Sequence, residues 1–404
     1  MKRTWISLPT VALLITAAII SCAGNTSNAD ETSSANTNRA PVTDSLKTVS
    51  LQLKSNPSLP EPLNAIRLPE GFHIAVYAKV QGARSMALSD NGTLYVGTMG
   101  KNVYAVVDED KDGKADQVYT VAKNLNTPNG VAWKNGDLYI ATISSILKLE
   151  KMDDRLQDPP APVKVYDQYP TDRHHGWKFI AFGPDDKLYV PVGAPCNICE
   201  SKNPVYASIT RIHADGSNME IFAKGVRNTV GFTWHPETKH LWFTDNGRDN
   251  MGDDMPADEL NTAPTSGMHF GYPYCHQGNT LDPEFGKGKS CDDYVAPVQN
   301  LTPHGAALGL RFNTGNQFPA SFKNSLFIAE HGSWNRSEPI GYRVGMVQLD
   351  ASGKSTGFTT FADGWLQPGG KVTGRPVDVQ FLQDGSMLIS DDYSNLIYRV
   401  TYKP

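Results

Sequence analysis

One arrangement of hydrophobic and polar positions recurs along the chain: an apolar segment, a polar turn, and a second segment in which leucine precedes aromatic or aliphatic residues. The second segments begin at Leu94, Leu138, Leu188, Leu241, Leu326 and Leu388. Short apolar segments on either side of a turn rich in Gly, Asp, Asn and Pro are typical of β-hairpins. The pattern therefore predicts six hairpins of one kind.

The leucines are separated by 44, 50, 53, 85 and 62 residues, and a four-stranded propeller blade needs roughly 40 to 50 residues. We therefore expect an all-β fold, a six-bladed β-propeller of four-stranded antiparallel blades, over residues 59–404. A β-sandwich is the alternative, but sandwiches do not normally repeat one hairpin six times. The longest interval contains a Gly- and Pro-rich stretch, 247–303. We expect this stretch to be a long loop region, and long loops usually carry functional residues.

Composition narrows the class of protein. The chain has 404 residues, 39% hydrophobic and 20% charged, which is typical of a soluble globular protein. Its formal net charge is −5 and it has no long basic run. Binding of nucleic acid through phosphates is therefore not expected.

The first 22 residues have the features of an export signal. Lys2 and Arg3 precede an apolar run that is too short to span a bilayer comfortably, and the run ends at Ser21-Cys22-Ala23. This ending resembles the lipobox of a bacterial lipoprotein, so we expect Cys22 to be lipidated; an ordinary cleaved signal peptide is the alternative. Residues 23–58, rich in Ser, Thr and Asn, predict a flexible tether. The protein is thus expected outside the cytoplasm, anchored to a membrane of the bacterial cell envelope.

Export favours disulfides between the remaining cysteines. Cys196 with Cys199 and Cys275 with Cys291 are the two natural local pairs. A four-cysteine zinc site is the competing interpretation, which an oxidising compartment disfavours. The residue after Cys199 is Glu200, whereas attachment of a c-type haem requires histidine there.

Polar residues precede or begin the first strand of every predicted hairpin. They are Arg84, Asn129, His174 and His175, Arg227 and Asn228, His304, and Arg375. In a propeller the innermost strand of each blade starts at one mouth of the central channel, so these groups should meet there. Residues His331, Asn335 and Arg336, after the fifth hairpin, add further donors. Such a set predicts a site for a small polyanionic molecule.

Two loops are rich in carboxylates. Asp108, Asp110, Asp112 and Asp116 surround Gly113 in a D-x-D-x-D-G pattern, which suits Ca²⁺ but lacks the acidic residue at the twelfth position. A structural calcium site and a solvated acidic turn both remain open. The segment 245–261 predicts a second calcium site beside the channel, with a solvated loop as the alternative.

Several of these residues together resemble a known family. His175 lies eight positions before Gly183-Pro184-Asp185, and Val226-Arg227-Asn228 leads into Trp234-His-Pro-Glu. Asp258-Glu259-Leu-Asn261 is followed by Phe270-Gly-Tyr-Pro, and Gly374-Arg375 precedes the last hairpin. This set is similar to the soluble pyrroloquinoline-quinone (PQQ) sugar dehydrogenases, and most similar to their sorbosone dehydrogenase-like branch, over roughly residues 60–404.

The resemblance implies a PQQ cofactor at the channel mouth, bridged to the protein by Ca²⁺. It implies that His175 is the general base, that Arg227 contacts the quinone oxygen, and that Asn228 and Arg375 hold the cofactor. The backbone carbonyls of Gly247 and Arg248 would bind the calcium. The sequence departs from the family pattern at two positions that affect cofactor binding. Val377 is found where aldose-oxidising members often have a second arginine, and Arg248 is found where they usually have proline.

The expected activity is oxidation of a sugar, an aldose or a related alcohol by proton abstraction and hydride transfer to the quinone. A separate electron acceptor, a cytochrome or a quinone, is then needed. A calcium-dependent lactonase and a non-catalytic binding propeller are the alternatives.

Overall fold

The computed structural model describes residues 51–152 and 154–404. The predicted export signal, Cys22 and residues 23–50 of the predicted tether lie outside the described residues. Within the described ranges, none of the helices has the length and apolar character needed to cross a membrane.

The predicted six-bladed β-propeller is confirmed, because six four-stranded antiparallel sheets follow one another along the chain. Blade 1 has strands Ala83–Leu88, Leu94–Thr98, Val103–Val107 and Gln117–Ala122. Blade 2 has Gly130–Lys134, Asp137–Ala141, Ile146–Leu149 and Val163–Tyr166. Blade 3 has Ala181–Phe182, Leu188–Val192, Ser208–Ile212 and Glu220–Lys224. All six leucines of the repeat lie in the second strand of a blade.

The remaining blades differ mainly in their outer strands. Blade 4 has Phe232–Trp234, Leu241–Asp245, Glu259–Ala263 and Gln299–Asn300. Blade 5 has Ala307–Phe312, Ser325–Glu330, Arg343–Leu349 and Ser355–Ala362. Blade 6 has Pro376–Phe381, Met387–Asp391, Leu396–Tyr402 and, from the start of the described chain, Phe72–Lys79. This last strand closes the ring, since Phe72 pairs with Tyr402 and Lys79 with Leu396.

Short elements complete the fold. Leu53–Ser55 pairs with Arg67–Pro69, Cys275–His276 pairs with Thr280–Leu281, and Met268–His269 adds a parallel edge strand to blade 3. Single 3₁₀ turns occupy Leu63–Ala65, Cys291–Asp293, Ala320–Phe322 and Pro368–Gly370. Leu53–Ser55 falls inside the segment expected to be a tether, so the ordered fold extends a few residues before position 59.

Each pair of neighbouring blades shares one hydrophobic cluster. Between blades 1 and 2, for example, the buried side chains of Tyr95 and Ala105 pack with those of Val131 and Leu138. A seventh, small cluster of Val230, Leu308 and Val377 lies on the inner strands around the axis. Burial of strands on both faces explains why the repeat signal is a short apolar run rather than a clean alternation.

Candidate active site

Two sets of loops meet at one end of the propeller. Because the strands of a blade are antiparallel, the loop entering the first strand and the loop between the second and third strands lie at the same end. At this end a cavity of 610 Å³ is lined by Arg84, Met99, Arg173, His174, His175, Trp177, Arg227, Asn228, Val230, Asn246, Gly247, Asp249, Asp258, His304, Ala306, Leu308, His331, Gly332, Trp334 and Arg375. The volume is within the range of small-molecule sites.

His175 lies on the loop that enters blade 3 and has a left-handed backbone, with φ of 48°. Its Nδ1 is 2.9 Å from the carbonyl oxygen of Ala194, so Nδ1 carries the proton and Nε2 keeps a free lone pair. Burial, together with the charge of Arg227, lowers the pKa of His175 to about 2. The imidazole is therefore neutral at ordinary pH, which a general base requires. A side chain at Gly193 would collide with His175, since its Cβ would lie 2.5 Å from that of His175.

Arg227 and Asn228 are fixed through their backbone by a buried carboxylate at the end of a strand. The Asp245 oxygens accept the amide protons of Arg227 at 2.8 Å and Asn228 at 2.6 Å. Burial raises the pKa of Asp245 to about 6. Burial also lowers the pKa of the Arg227 guanidinium, although the charge of Asp249 opposes that effect.

Arg375 is held in the same way in blade 6. Its amide donates to Asp391 at 2.9 Å, and its guanidinium donates to the carbonyls of His331 at 3.0 Å and Gly332 at 3.1 Å. Asp245 and Asp391 are each the last residue of a second strand. Two equivalent carboxylates of the repeat thus position two arginines that line the cavity.

A network of one buried and two half-buried side chains joins Arg84, His331 and Asp392. Asp392 accepts hydrogen bonds from His331 Nε2 at 2.9 Å and from Arg84 at 2.5 Å. Burial alone would raise the pKa of Asp392, but the bond from His331 and the charge of Arg84 lower it below its usual range. Burial lowers the pKa of His331 to about 4 despite the neighbouring carboxylate. The network thus presents a neutral imidazole, from His331, and a cationic guanidinium, from Arg84, to the cavity.

Asn129 has a different role from the one expected. Its side chain is fully buried and does not line the cavity; it accepts from Arg84 Nε at 2.7 Å and donates to Ser85 and to the Lys178 carbonyl. These partners lie in the first strand of blade 1 and in the segment before blade 3, so the Asn129 amide joins neighbouring blades. Asn129 therefore acts on the site only through Arg84.

The loop expected to bind calcium lies at the cavity edge. Gly247 lines the cavity and donates its amide to Asp258 at 3.0 Å. Among the described residues, no hydrogen bond is made to the carbonyl oxygens of Gly247 and Arg248. The Arg248 side chain turns away and donates to Asp282 at 2.6 Å and Glu284 at 3.1 Å. Burial raises the pKa of Asp258 to about 7.

The other predicted donors secure loops. His304 lines the cavity, and its Nε2 donates to the carbonyls of Gly252 at 2.8 Å and Met255 at 2.9 Å. Arg336 binds the Asp253 carbonyl and the Asp254 carboxylate, and neither Arg336 nor Asn335 lines the cavity. These contacts hold the loops of blades 4 and 5 together across the rim.

The Asp108–Asp116 turn lies between the third and fourth strands of blade 1, at the end of the propeller opposite the cavity. Asp108, Asp110 and Asp116 each place a carboxylate oxygen within 4.8 Å of the others, while Asp112 is not part of that group. The turn is thus separate from the cavity. Its use of calcium stays a prediction.

The cysteines pair as expected, Cys196 with Cys199 and Cys275 with Cys291. The disulfides follow the local spacing, and the four sulfurs do not form one zinc site.

Sequence reasoning found only one member, His331, of a second ring of residues that directly follow the second strands of the blades. Met99 and Asn246 have the same position and also line the cavity, and Asp392 has it in blade 6. The same repeat register that located the strand starts would have located this set. Lys178 and Asn197 carry no such signal: Lys178 is buried and donates to the Gly176 carbonyl at 2.9 Å, beside His175.

Comparisons with solved structures agree with the fold. The PQQ domain of a pyranose dehydrogenase from Coprinopsis cinerea, described as a holo form, has a TM-score of 0.71 at 20% identity; the match covers 87% of this chain and 100% of that one. A calcium structure of a Trichoderma reesei enzyme of Carbohydrate-Active Enzymes Family AA12 has a TM-score of 0.74 at 19% identity, covering 87% and 99% of the two chains. At these identities the likeness establishes the propeller alone.

Sequence comparisons go further. An uncharacterized protein of Borreliella burgdorferi is 31% identical over 357 residues, which cover 85% of this chain and 92% of the relative. A segment of 62 residues, 15% of this chain and 8% of the relative, is 44% identical to a pyrroloquinoline quinone-dependent pyranose dehydrogenase of Coprinopsis cinerea. The family model described as TrAA12-like matches residues 278–403, and the model described as Glucose / Sorbosone dehydrogenase matches residues 132–333, half of the chain. The chain therefore belongs to the glucose/sorbosone dehydrogenase family.

Proposed function

We propose that the protein is a PQQ- and Ca²⁺-dependent oxidoreductase of the sorbosone dehydrogenase-like branch, acting on a hydroxyl or hydrated aldehyde group of a sugar or related alcohol. The observation that carries the proposal is that His175, Arg227 and Arg375 line one cavity. Membership of the family and the short, 44% identical match to the Coprinopsis cinerea dehydrogenase support it.

The donor set of the cavity fits the proposed cofactor. Arg84, Arg173, Arg227 and Arg375 all line it, and guanidinium groups are well suited to the carboxylates that PQQ carries. The two lining carboxylates are already engaged, since Asp258 accepts backbone amides and Asp249 lies 3.4 Å from Arg227. The carbonyls of Gly247 and Arg248 have no described partner and are oxygen ligands of the type that Ca²⁺ prefers.

When bound, PQQ supplies a quinone that accepts a hydride. The protein's own residues would accept the substrate's hydroxyl proton and stabilise the negative charge that develops in the reaction. His175 is neutral, its Nδ1 proton is committed to Ala194, and Nε2 is left to accept the hydroxyl proton. Arg227 is a cation held by several hydrogen bonds, so it stabilises negative charge that develops beside it without rearranging.

Burial and, secondarily, the positive charge of Arg227 lower the pKa of His175. A polyanionic ligand bound at the arginines would offset that charge and strengthen His175 as a base.

The test is substrate-dependent dye reduction by the purified protein, loaded with PQQ and Ca²⁺ and offered aldoses, sorbosone and simple alcohols. His175→Asn should abolish turnover while leaving PQQ binding nearly intact, and His213→Asn, on the outside of blade 3, should behave as wild type. Lactone hydrolysis without PQQ would instead support the lactonase, and absence of both activities a binding propeller.

Two further parts of the proposal rest on sequence alone. The electrons leave to a separate acceptor, a cytochrome or quinone, and the protein is exported and anchored through lipidated Cys22.

A further inference from the structure

The Cys196–Cys199 disulfide closes a loop that contains only Asn197 and Ile198, between the second and third strands of blade 3. Stabilisation of a fold by a disulfide grows with the length of chain that it closes. The sequence separation is 3 for this disulfide and 16 for Cys275–Cys291, so this disulfide contributes little to the folding stability of the propeller. Its effect must be sought in the geometry of the loop itself.

Asn197 makes four hydrogen bonds to two neighbours. Its carbonyl accepts from Arg227 Nε at 2.8 Å, and its Oδ1 accepts from Arg227 Nη2 at 2.9 Å. The same Oδ1 accepts the amide proton of Asp249 at 2.8 Å, and Nδ2 donates to the Asp249 carbonyl at 3.2 Å. One residue thus clamps the guanidinium of Arg227 and the loop that follows Gly247.

The clamp decides what Arg227 presents to the cavity. A guanidinium has five N–H donors. Contacts to Asn197, together with those to the Asn246 carbonyl at 3.1 Å and the Asp249 carboxylate at 3.4 Å, use four of them. Among the described residues, one Nη1 donor is left without an acceptor. Arg227 therefore offers a single directed donor instead of a mobile charge.

The loop is held from behind as well. The Tyr272 hydroxyl accepts the amide proton of Cys199 at 3.0 Å and lies 3.5 Å from Cys196 Sγ. On the other side, Ala194 donates its amide to the Arg227 carbonyl at 2.8 Å, and its carbonyl accepts from His175 Nδ1. The segment 194–199 therefore contacts both residues to which the proposed mechanism assigns chemistry.

We propose that the Cys196–Cys199 loop is a positioning element of the site, in which the disulfide fixes Asn197 and Asn197 fixes Arg227 together with the Gly247–Asp249 backbone. The proposal rests on the proposed function for the identity of the ligand, PQQ, but its structural part does not. Asn197 is a positioning residue: it acts through Arg227 and, through Asp249, on the backbone that carries the Gly247 and Arg248 carbonyls.

The experiment uses the full protein and two independent readouts. Hydrogen exchange of the apo-protein, followed in a peptide that spans 246–251, reports on the Asp249 amide. The rate at which phenylglyoxal modifies Arg227, measured by mass spectrometry, reports on the guanidinium. Neither readout needs PQQ. Asn197→Ala keeps the disulfide, Cys196→Ser/Cys199→Ser removes it, and Asn203→Ala, whose side chain caps only the Val205 amide, is the matched control.

We expect Asn197→Ala to speed both reactions by about tenfold, because the Arg227 guanidinium loses a charge-assisted hydrogen bond and the Asp249 amide loses its acceptor. The double serine variant should do the same to a smaller extent, and Asn203→Ala should match wild type. Affinity for PQQ in the presence of Ca²⁺ should fall by a similar factor in Asn197→Ala, with kcat reduced more than KM is changed. Wild-type rates of exchange and modification in Asn197→Ala would overturn the proposal. Failure of wild type to bind PQQ would refute the proposed function alone, because the two PQQ-free readouts still decide the positioning role.

Discussion

Replacement of Glu259 by glutamine should stabilise the apo-protein, and increasingly so as the pH rises. Glu259 and Asp245 are directly opposite each other on neighbouring strands of blade 4, and both are buried. Two acids in this arrangement disfavour ionisation of each other. Burial and, secondarily, the charge of Asp245 raise the pKa of Glu259 to about 8.

The sign follows from proton linkage. The folded protein keeps a proton on Glu259 that the unfolded chain releases near pH 4.5, so the free energy of unfolding falls as the pH rises from about 4.5 to about 8. Each pH unit in that window costs about 1.4 kcal/mol. Between pH 6 and pH 8 this residue alone should cost about 2 kcal/mol, which is about 3 °C in Tm for a chain of this size.

Glutamine removes the titration and keeps the hydrogen bonds. Glu259 accepts from the Gln277 amide at 2.7 Å and from Asn261 Nδ2 at 2.9 Å. Asn261 Oδ1 has no partner among the described residues. A half-turn of the Asn261 amide would therefore let Oδ1 accept from the new Nε2, so the substitution adds no unpaired polar atom.

The assay is urea unfolding followed by tryptophan fluorescence in EDTA, at pH 6 and pH 8. The stability gain of Glu259→Gln over wild type should grow by about 2 kcal/mol between the two pH values. Glu237→Gln, on an exposed turn of blade 4, is the control and should show no such growth. An equal gain or loss at both pH values would refute the reasoning.

Three other outcomes are expected. Asp392→Ala leaves the guanidinium of Arg84, which is 3% exposed, without its carboxylate; it should cost about 3 kcal/mol in urea unfolding, and a wild-type stability would show that Arg84 does not need the pair. Millimolar Ca²⁺ should raise the Tm of wild type more than that of Asp110→Ala, in which the Asp108–Asp110–Asp116 group is broken; equal shifts in calorimetry would identify the turn as merely solvated. Cys22→Ala should abolish incorporation of labelled palmitate and release the protein from the membrane fraction, whereas retained label would contradict lipidation at this residue.

The sequence predicts the architecture because its signal is local and repeated. Leu94, Leu138, Leu188, Leu241, Leu326 and Leu388 are at most 1% exposed, so each second strand must be apolar wherever it occurs. The closing strand Phe72–Lys79 was not predicted. Its partner strand, Leu396–Tyr402, is more than three hundred residues away, so the local sequence of Phe72–Lys79 does not show the pairing.

The site residues also fall into two groups, those that the local repeat locates and those that depend on contacts between distant segments. Arg84, His175, Arg227, His304 and Arg375 were found because the start of a first strand places a residue at the channel mouth. Asn129 shares that register but is fully buried, since its amide has better partners between the blades. Asn197 acts through contacts that only the assembled ring creates, so nothing in its local sequence identifies it. Asp392, by contrast, directly follows the second strand of blade 6, so the repeat register locates it.

The central claim is that the cationic cavity holds PQQ through Ca²⁺, and equilibrium titration tests it most directly. Apo-protein titrated with PQQ should show saturable binding at one site, lost in EDTA and weakened by at least about tenfold in Arg375→Ala, because that guanidinium would pair with a ligand carboxylate. Lys403→Ala, near the carboxyl terminus, should leave the titration unchanged. Absence of saturable binding, or binding that ignores both Ca²⁺ and Arg375, would contradict the account.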